Sequence, residues 1–194
     1  NNSPGQIELL NWGLIPSWAN DEKAANEIRR KTLNARAETL AEKPSFRKAS
    51  ESQRCLIPVT GFFEWQDVNG KKIPWYIRMT GQEIFSIAGL WDTWISPGGI
   101  TLKTFTLITV DANPLMAEIH NTKKRMPALL TKETEHLWIK PSLSPRDASF
   151  MLAPVPSDLL KAHTVGPMIS DRSTDHNTPE LIKPFTYPSQ GLLF

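Results

Sequence analysis

Sixteen of the 194 residues are proline. A proline inside a helix removes a backbone hydrogen bond and clashes with the preceding turn, but it is tolerated at helix starts, strand edges and turns. At about 8% against a usual ~5%, this density argues for a loop-rich, strand-rich protein rather than a helical bundle. With 40% hydrophobic and 22% charged residues the chain can bury a core and is not a disordered tail. Its length suits one domain over residues 1–194. One cysteine excludes a disulfide framework and a multi-cysteine metal site. No apolar run approaches the ~20 residues that span a bilayer, and nothing near residue 1 reads as a signal peptide. A cytoplasmic protein without membrane contact is expected.

Residues 7–12 read as a strand and residues 20–31 as a helix with a mixed face. Ser45, after Pro44, is placed to cap a short helix over 46–53. Residues 55–60 read as a buried strand, and Gly61 marks a bend before Phe62-Phe63-Glu64-Trp65. Asn69-Gly70 is the strongest hairpin signal and leads into a strand over 73–79. Strands follow over 84–94 and, after Pro97-Gly98-Gly99, over 100–110. Asn113-Pro114 opens a short helix ending near His120, Thr131 caps a helix over 132–139, and Ser144-Pro145 starts another. The tail after Asp171 is polar, rich in proline and irregular. Strands first and helices later, without alternation, predict an α+β fold: mainly antiparallel sheet or partial barrel with peripheral short helices.

The net charge of +2 is unevenly placed. From Arg29 to Arg54 there are eight basic and three acidic residues, and Lys123, Lys124 and Arg125 form a second cluster. Basic residues interleaved with Phe46, Phe63 and Trp65 suit a phosphate-bearing partner, although from charge alone a solvated helix face is the favoured reading. The usual nucleotide, hydrolase and zinc motifs are absent, and the four histidines are too scattered for a metal site, so no metal or cofactor is expected. His136 and His176 read as surface residues, and His163 as a structural residue in a strand. Cys55 sits in an apolar run where a free cysteine acts as a small buried hydrophobe. Glu64 differs: a carboxyl among aromatic residues either faces water from an edge strand or has a raised pKa that suits acid/base work.

Five motifs in order resemble one family. Trp12-Gly13-Leu14-Ile15-Pro16-Ser17-Trp18, Asn34-Ala35-Arg36-Ala37-Glu38-Thr39, Arg54-Cys55-Leu56-Ile57-Pro58, Gly61-Phe62-Phe63-Glu64-Trp65 and the segment from His120 to Pro127 are similar to the SOS-response-associated peptidase (SRAP) family, over roughly residues 8–140. The resemblance implies an SRAP-like fold and an abasic-site sensor that binds single-stranded DNA, including single-strand/double-strand junctions. It implies a terminal cysteine, exposed by autocatalytic removal of the initiator methionine. The α-amine of that cysteine forms a Schiff base with the ring-opened sugar, and its thiol closes a thiazolidine crosslink.

The same resemblance implies that Asn34 orients the N-terminal group and the sugar, that Glu64 is the acid/base for ring opening and imine formation, and that His120 is the second proton-transfer group. It gives Arg36 a phosphate, places Thr109 in the pocket lining, and makes Trp65, Trp12, Phe46, Arg47 and Arg125 DNA contacts. The chain opens Asn1-Asn2-Ser3-Pro4 without a methionine or the terminal cysteine, so as given it is expected to bind DNA without crosslinking. Cys55 matches an ordinary strand cysteine of the pattern. Asn121-Thr122-Lys123-Lys124 makes the His120 to Arg125 spacing longer than is common in the family. A monomer acting on single-stranded DNA with abasic sites is the expected form. The alternative is a non-covalent single-stranded DNA-binding module with vestigial catalytic residues, and a protease acting on other proteins is a third reading.

Overall fold

The computed structural model describes residues 6–188. Its strands in chain order are β1 (Asn11–Trp12), β2 (Asn34–Arg36), β3 (Arg54–Val59), β4 (Phe62–Val68), β5 (Lys71–Met79), β6 (Phe85–Ile95), β7 (Thr101–Asp111), β8 (Arg125–Pro127), β9 (Leu129–Leu130) and β10 (Leu160–Thr164). The helices are α1 (Glu22–Arg29), α2 (Pro44–Ser52), α3 (Pro114–Ile119), α4 (Lys132–Trp138) and α5 (Pro145–Phe150). The expected α+β character holds: two mostly antiparallel sheets carry short helices, and neither sheet closes into a barrel among the described residues. Two compact units divide the chain. The first takes the described residues up to Pro58 with Phe85–Asp111 and Pro127–Val155; the second takes Val59–Ile84, Ala112–Met126 and the described residues from Pro156.

In the first unit, β6 and β7 pair antiparallel from Gly89↔Leu107 to Ile95↔Thr101. Ser96 closes their turn, its Oγ accepting the Ile100 N–H at 3.0 Å. Two short strands lie end to end in parallel along β7: β1 at Thr104 and Phe105, and β2 at Leu107 to Thr109. Along β7, Thr104, Thr106, Ile108 and Val110 are buried, whereas Phe105, Leu107 and Thr109 on the opposite face are half-buried. Gly89 is the one position in β6 where a neighbour comes too close for a side chain: a Cβ there would meet Ile57 Cδ1 at 2.8 Å and Cys55 Sγ at 3.0 Å.

Two buried polar residues brace this unit. Asp92, 4% exposed, accepts from the Ser17 N–H at 2.8 Å, the Thr93 N–H at 2.8 Å and Gln53 Nε2 at 3.0 Å, which fixes the loop after β1. Arg54, 3% exposed, donates to five backbone carbonyls, those of Ser50, Glu51, Trp138, Lys140 and Leu143, and its guanidinium lies 5.9 Å from the Trp138 ring centroid. It thereby ties the end of α2 to the end of α4.

In the second unit, β4 and β5 form the hairpin expected at Asn69-Gly70. Both residues have positive φ, 53° and 81°, as a two-residue type I′ turn requires. The second neighbour of β5 is β10, paired from Leu160↔Met79 to Thr164↔Trp75. The successive strands therefore do not form one meander, since the β6–β7 hairpin belongs to the other sheet. Asn113 caps α3 by accepting the Met116 N–H at 2.9 Å.

Several local expectations shift. Only Asn11–Trp12 of the strand expected over 7–12 is a strand; Ile7 and Leu9 are 90% and 100% exposed. Helix α2 begins at Pro44 with Lys43 at the cap, because proline's fixed φ suits the first helical position and draws Ser45 inside. Strand β3 is half-buried rather than buried. The tail past Asp171 is irregular but anchored, with a short turn at Pro179–Ile182 and a bridge from Val165 to Pro184. The opening Asn1-Asn2-Ser3-Pro4 lies outside the described residues.

Candidate active site and nucleic-acid face

Strand β4 is the edge of its sheet, which is where a glutamate can simply face water. Glu64 does not: its side chain is 22% exposed, because α3 packs along β4. The pleat sends Phe63 and Trp65 to the opposite face, as the alternation predicts. Phe63 packs 5.3 Å from the Tyr76 ring, and Trp65 Nε1 donates to Ser170 Oγ at 3.4 Å. Opposite Glu64 in the register stands Trp75. Burial raises the Glu64 pKa above the usual glutamate value; the charge of His120 and the Trp65 backbone N–H oppose that rise.

His120 follows directly on α3. Its Nδ1 is 3.6 Å from Glu64 Oε1 and 3.0 Å from the Arg125 carbonyl oxygen. Three hydrogen bonds stitch this end of the helix to β4. Gln66 Nε2 donates to the Glu118 carbonyl at 3.1 Å, Asn121 Oδ1 accepts the Asp67 N–H at 3.0 Å, and Asn121 Nδ2 donates to the Asp67 carbonyl at 2.8 Å. The longer spacing before Arg125 is absorbed as a tight turn: Lys124 takes a left-handed φ of 49° and its N–H donates to the His120 carbonyl at 2.8 Å. Arg125 is half-buried, and its main chain supports His120.

The first unit gathers a second group of candidates. Asn34 and Arg36 are exposed and Ala35 between them is buried, so the two polar residues share one face of β2. In register they stand beside Leu107 and Thr109, and Thr109 Oγ1 donates to the Ala35 carbonyl at 3.3 Å. On the same face of β7, Trp12 stacks on Phe105 at 6.4 Å and 13°, and its Nε1 donates to the Leu33 carbonyl at 2.8 Å. An aromatic pair, an amide and a guanidinium thus line one strip of sheet. Of the softer candidates, Arg47 is exposed on α2, but Phe46 is only 7% exposed and serves as a packing residue. Its helix turns the ring inward and Arg47 outward.

The structure therefore brings the candidates together in two groups: Glu64 with His120 in one unit, and Asn34, Arg36, Thr109 and Trp12 in the other. Sequence reasoning gave no role to Asn121 and Gln66, which seat His120, or to Phe105, which backs Trp12; Gln66 and Phe105 carry no motif signal, and Asn121 entered only as part of the spacing before Arg125. His163 bonds the Ile182 carbonyl at 2.8 Å, a structural role, and His136 and His176 are exposed. Burial pushes the Cys55 thiol up to about 12. Among the described residues no group of three His, Cys, Asp or Glu is placed to hold a metal ion, and no helix is long and apolar enough to cross a membrane.

A Bacillus subtilis (strain 168) protein named abasic site processing protein YoqW is 43% identical over 183 residues, 93% of this chain and 78% of that protein. The Xenopus tropicalis abasic site processing protein HMCES is 35% identical over 196 residues, 90% of this chain and 56% of that longer protein. Among solved structures, a crystal structure of a Bacteroides thetaiotaomicron protein superposes with a TM-score of 0.89 at 41% identity, covering 93% of this chain and 77% of that one. A Bordetella bronchiseptica protein does so with a TM-score of 0.74 at 31% identity, covering 81% and 76%. The family model described as SOS response associated peptidase (SRAP) matches residues 1–172, and the chain belongs to that family.

Proposed function

We propose that this protein processes abasic sites in single-stranded DNA by imine chemistry, using the Glu64–His120 pair for proton transfer. The observation that carries the reading is the pair itself: a half-buried carboxyl with a raised pKa, 3.6 Å from an imidazole seated on a hydrogen-bonded turn. Such a pair sets a carboxyl beside an imidazole, the two group types most used to give and take protons in catalysis. The names of the relatives supply the substrate class.

The abasic sugar is a closed hemiacetal. Ring opening removes a proton from the C1′ hydroxyl and delivers one to the ring oxygen, leaving an aldehyde. An α-amine adds to C1′ with a proton passing from its nitrogen to the oxygen; protonation of the resulting hydroxyl releases water, and loss of the remaining nitrogen proton leaves the imine. A thiol adding to the imine carbon, with its proton passing to nitrogen, closes a thiazolidine. The two carbon–oxygen cleavages and the carbon–nitrogen and carbon–sulfur bond formations are each coupled to proton transfer, which Glu64 and His120 perform. The amine and thiol belong to a terminal cysteine exposed by removal of an initiator methionine, the peptidase step. Cys55 does not replace it, since its thiol stays protonated. In the first unit Arg36 holds a phosphate, and Trp12 on Phe105 offers a surface on which a base stacks.

The test uses the full-length gene product and a fluorescent single-stranded oligonucleotide carrying one abasic site. The reading expects a shifted band that survives heating in denaturant and is absent with a tetrahydrofuran analogue lacking the aldehyde. Salt-sensitive retention of both oligonucleotides without any heat-stable band supports instead the non-covalent binding module. Turnover of unrelated peptides points to a protease acting on other proteins.

A further inference from the structure

We infer that Asn121 is a positioning residue that, with the Arg125 carbonyl, locks His120 at Glu64 as the Nδ1–H tautomer, so that Nε2 is the nitrogen exchanging protons. The inference deepens the function proposed above and rests on its assignment of His120 to proton transfer.

A carbonyl oxygen only accepts hydrogen bonds. Nδ1, 3.0 Å from the Arg125 carbonyl oxygen, therefore carries the hydrogen of the neutral ring. Glu64 Oε1 is on the same nitrogen at 3.6 Å, too long for a good hydrogen bond but close enough to favour the same tautomer. Both acceptors address one edge of the imidazole, and that leaves Nε2 as the basic atom.

This choice depends on where the ring sits, and the main chain after α3 decides that. Asn121 pairs its carboxamide with both backbone groups of Asp67, at 3.0 and 2.8 Å, as a neighbouring strand would. Asp67 lies three residues beyond Glu64 on the same strand. The amide thus ties the residue following His120 to the strand that carries its carboxyl partner. It supplies two of the three hydrogen bonds that hold this helix end to β4, the third being Gln66 to Glu118. Asn121→Ala releases the turn that carries both the imidazole and the Arg125 carbonyl, and alters neither Glu64 nor His120 itself.

The tautomer is read by long-range 1H–15N correlation in protein labelled at histidine, at a pH where the ring is neutral; the His120 signal is assigned by its loss in His120→Ala. Wild type is expected to show a protonated Nδ1 and a bare Nε2, and Asn121→Ala a mixture of tautomers. With abasic single-stranded DNA at saturation, Asn121→Ala of the full-length protein is expected to crosslink about tenfold more slowly or worse, with DNA affinity unchanged. An Nε2–H tautomer in the wild type overturns the inference without recourse to any variant. So does an Asn121→Ala protein with the wild-type spectrum and rate. Wild-type rates in both Glu64→Gln and His120→Ala overturn instead the proton-transfer reading, and the tautomer measurement, which needs no DNA, still decides the lock itself.

Discussion

Glu64 and His120 meet at 3.6 Å, Oε1 to Nδ1, with 22% and 19% of their side chains exposed. The encounter joins residues 56 positions apart in sequence, and the burial that comes with it costs stability: it raises the Glu64 pKa, against the opposing charge of His120, so the fold favours the neutral carboxyl more than water does.

Glu64→Gln is therefore expected to separate stability from activity. A group whose folded pKa lies above its unfolded value contributes stability that is full below the unfolded pKa and lost as pH rises through the folded one. Near neutral pH the wild type bears that loss and the glutamine variant does not. The variant should melt higher at pH 7 to 8, with the gap closing as pH falls below the ordinary glutamate range. In the full-length protein the same change should slow crosslinking by about 10²-fold or more, the usual worth of a general acid or base. Thermal melts across pH and single-turnover gels measure the two effects; an unchanged rate removes Glu64 from the chemistry.

Arg54 is expected to dominate the stability of the first unit. Its guanidinium is held by five carbonyls, and burial lowers its pKa without a carboxylate among those five partners. Arg54→Ala strands those acceptors and should cost about 3–5 kcal/mol, against a total of about 5–15 kcal/mol for a typical domain. Arg54→Lys should lose much of the same, since one ammonium cannot span five acceptors set for a planar fork. Urea unfolding reads both; a cost below about 1 kcal/mol for Arg54→Ala would show that water serves those carbonyls equally well.

Local chemistry made parts of this molecule legible in its sequence. Asn69-Gly70 specified its hairpin because few residues accept two positive φ values in succession. Asn113, Thr131 and Ser144 announced their helices because a side-chain oxygen before a helical run has a backbone N–H to accept. The neighbours of a strand were not legible: the joining of β5 to β10 rather than to β6 depends on contacts more than 80 residues apart. At the site, Glu64 stood out because a carboxyl among aromatic residues is anomalous on its own strand. Asn121 did not, since an asparagine after a helix is ordinary until Asp67 is seen to bond both ends of its amide. Phe46 misled for the converse reason, since the basic residues beside it say nothing about which way α2 turns its ring.

Arg36 should report the phosphate contact through salt. It is exposed on the face it shares with Asn34, where Arg36→Ala leaves the packing of Ala35 intact. Removing one phosphate contact is expected to weaken binding to single-stranded DNA similarly for all sequences. It should also lower the slope of log affinity against log salt by about 0.7. Fluorescence anisotropy over a salt series gives both numbers. A weaker but equally salt-dependent complex would place the contact on a base or sugar instead.

Cys55 supplies the control for the covalent chemistry. With its thiol pushed up to about 12, only about one molecule in ten thousand carries the thiolate at pH 8. Its sulfur lies 3.0 Å from where a side chain at Gly89 would begin, within the packing of β3 on β6. Iodoacetamide should therefore label the native chain slowly and the guanidine-unfolded chain rapidly. In the full-length protein Cys55→Ala should crosslink abasic DNA at the wild-type rate, at a stability cost of about 1 kcal/mol. Mass spectrometry of the alkylated peptide and the crosslinking gel check the two halves separately. Rapid native labelling would show that the β3 sulfur opens to solvent, and a lost crosslink in Cys55→Ala would move the nucleophile from the terminus into the sheet.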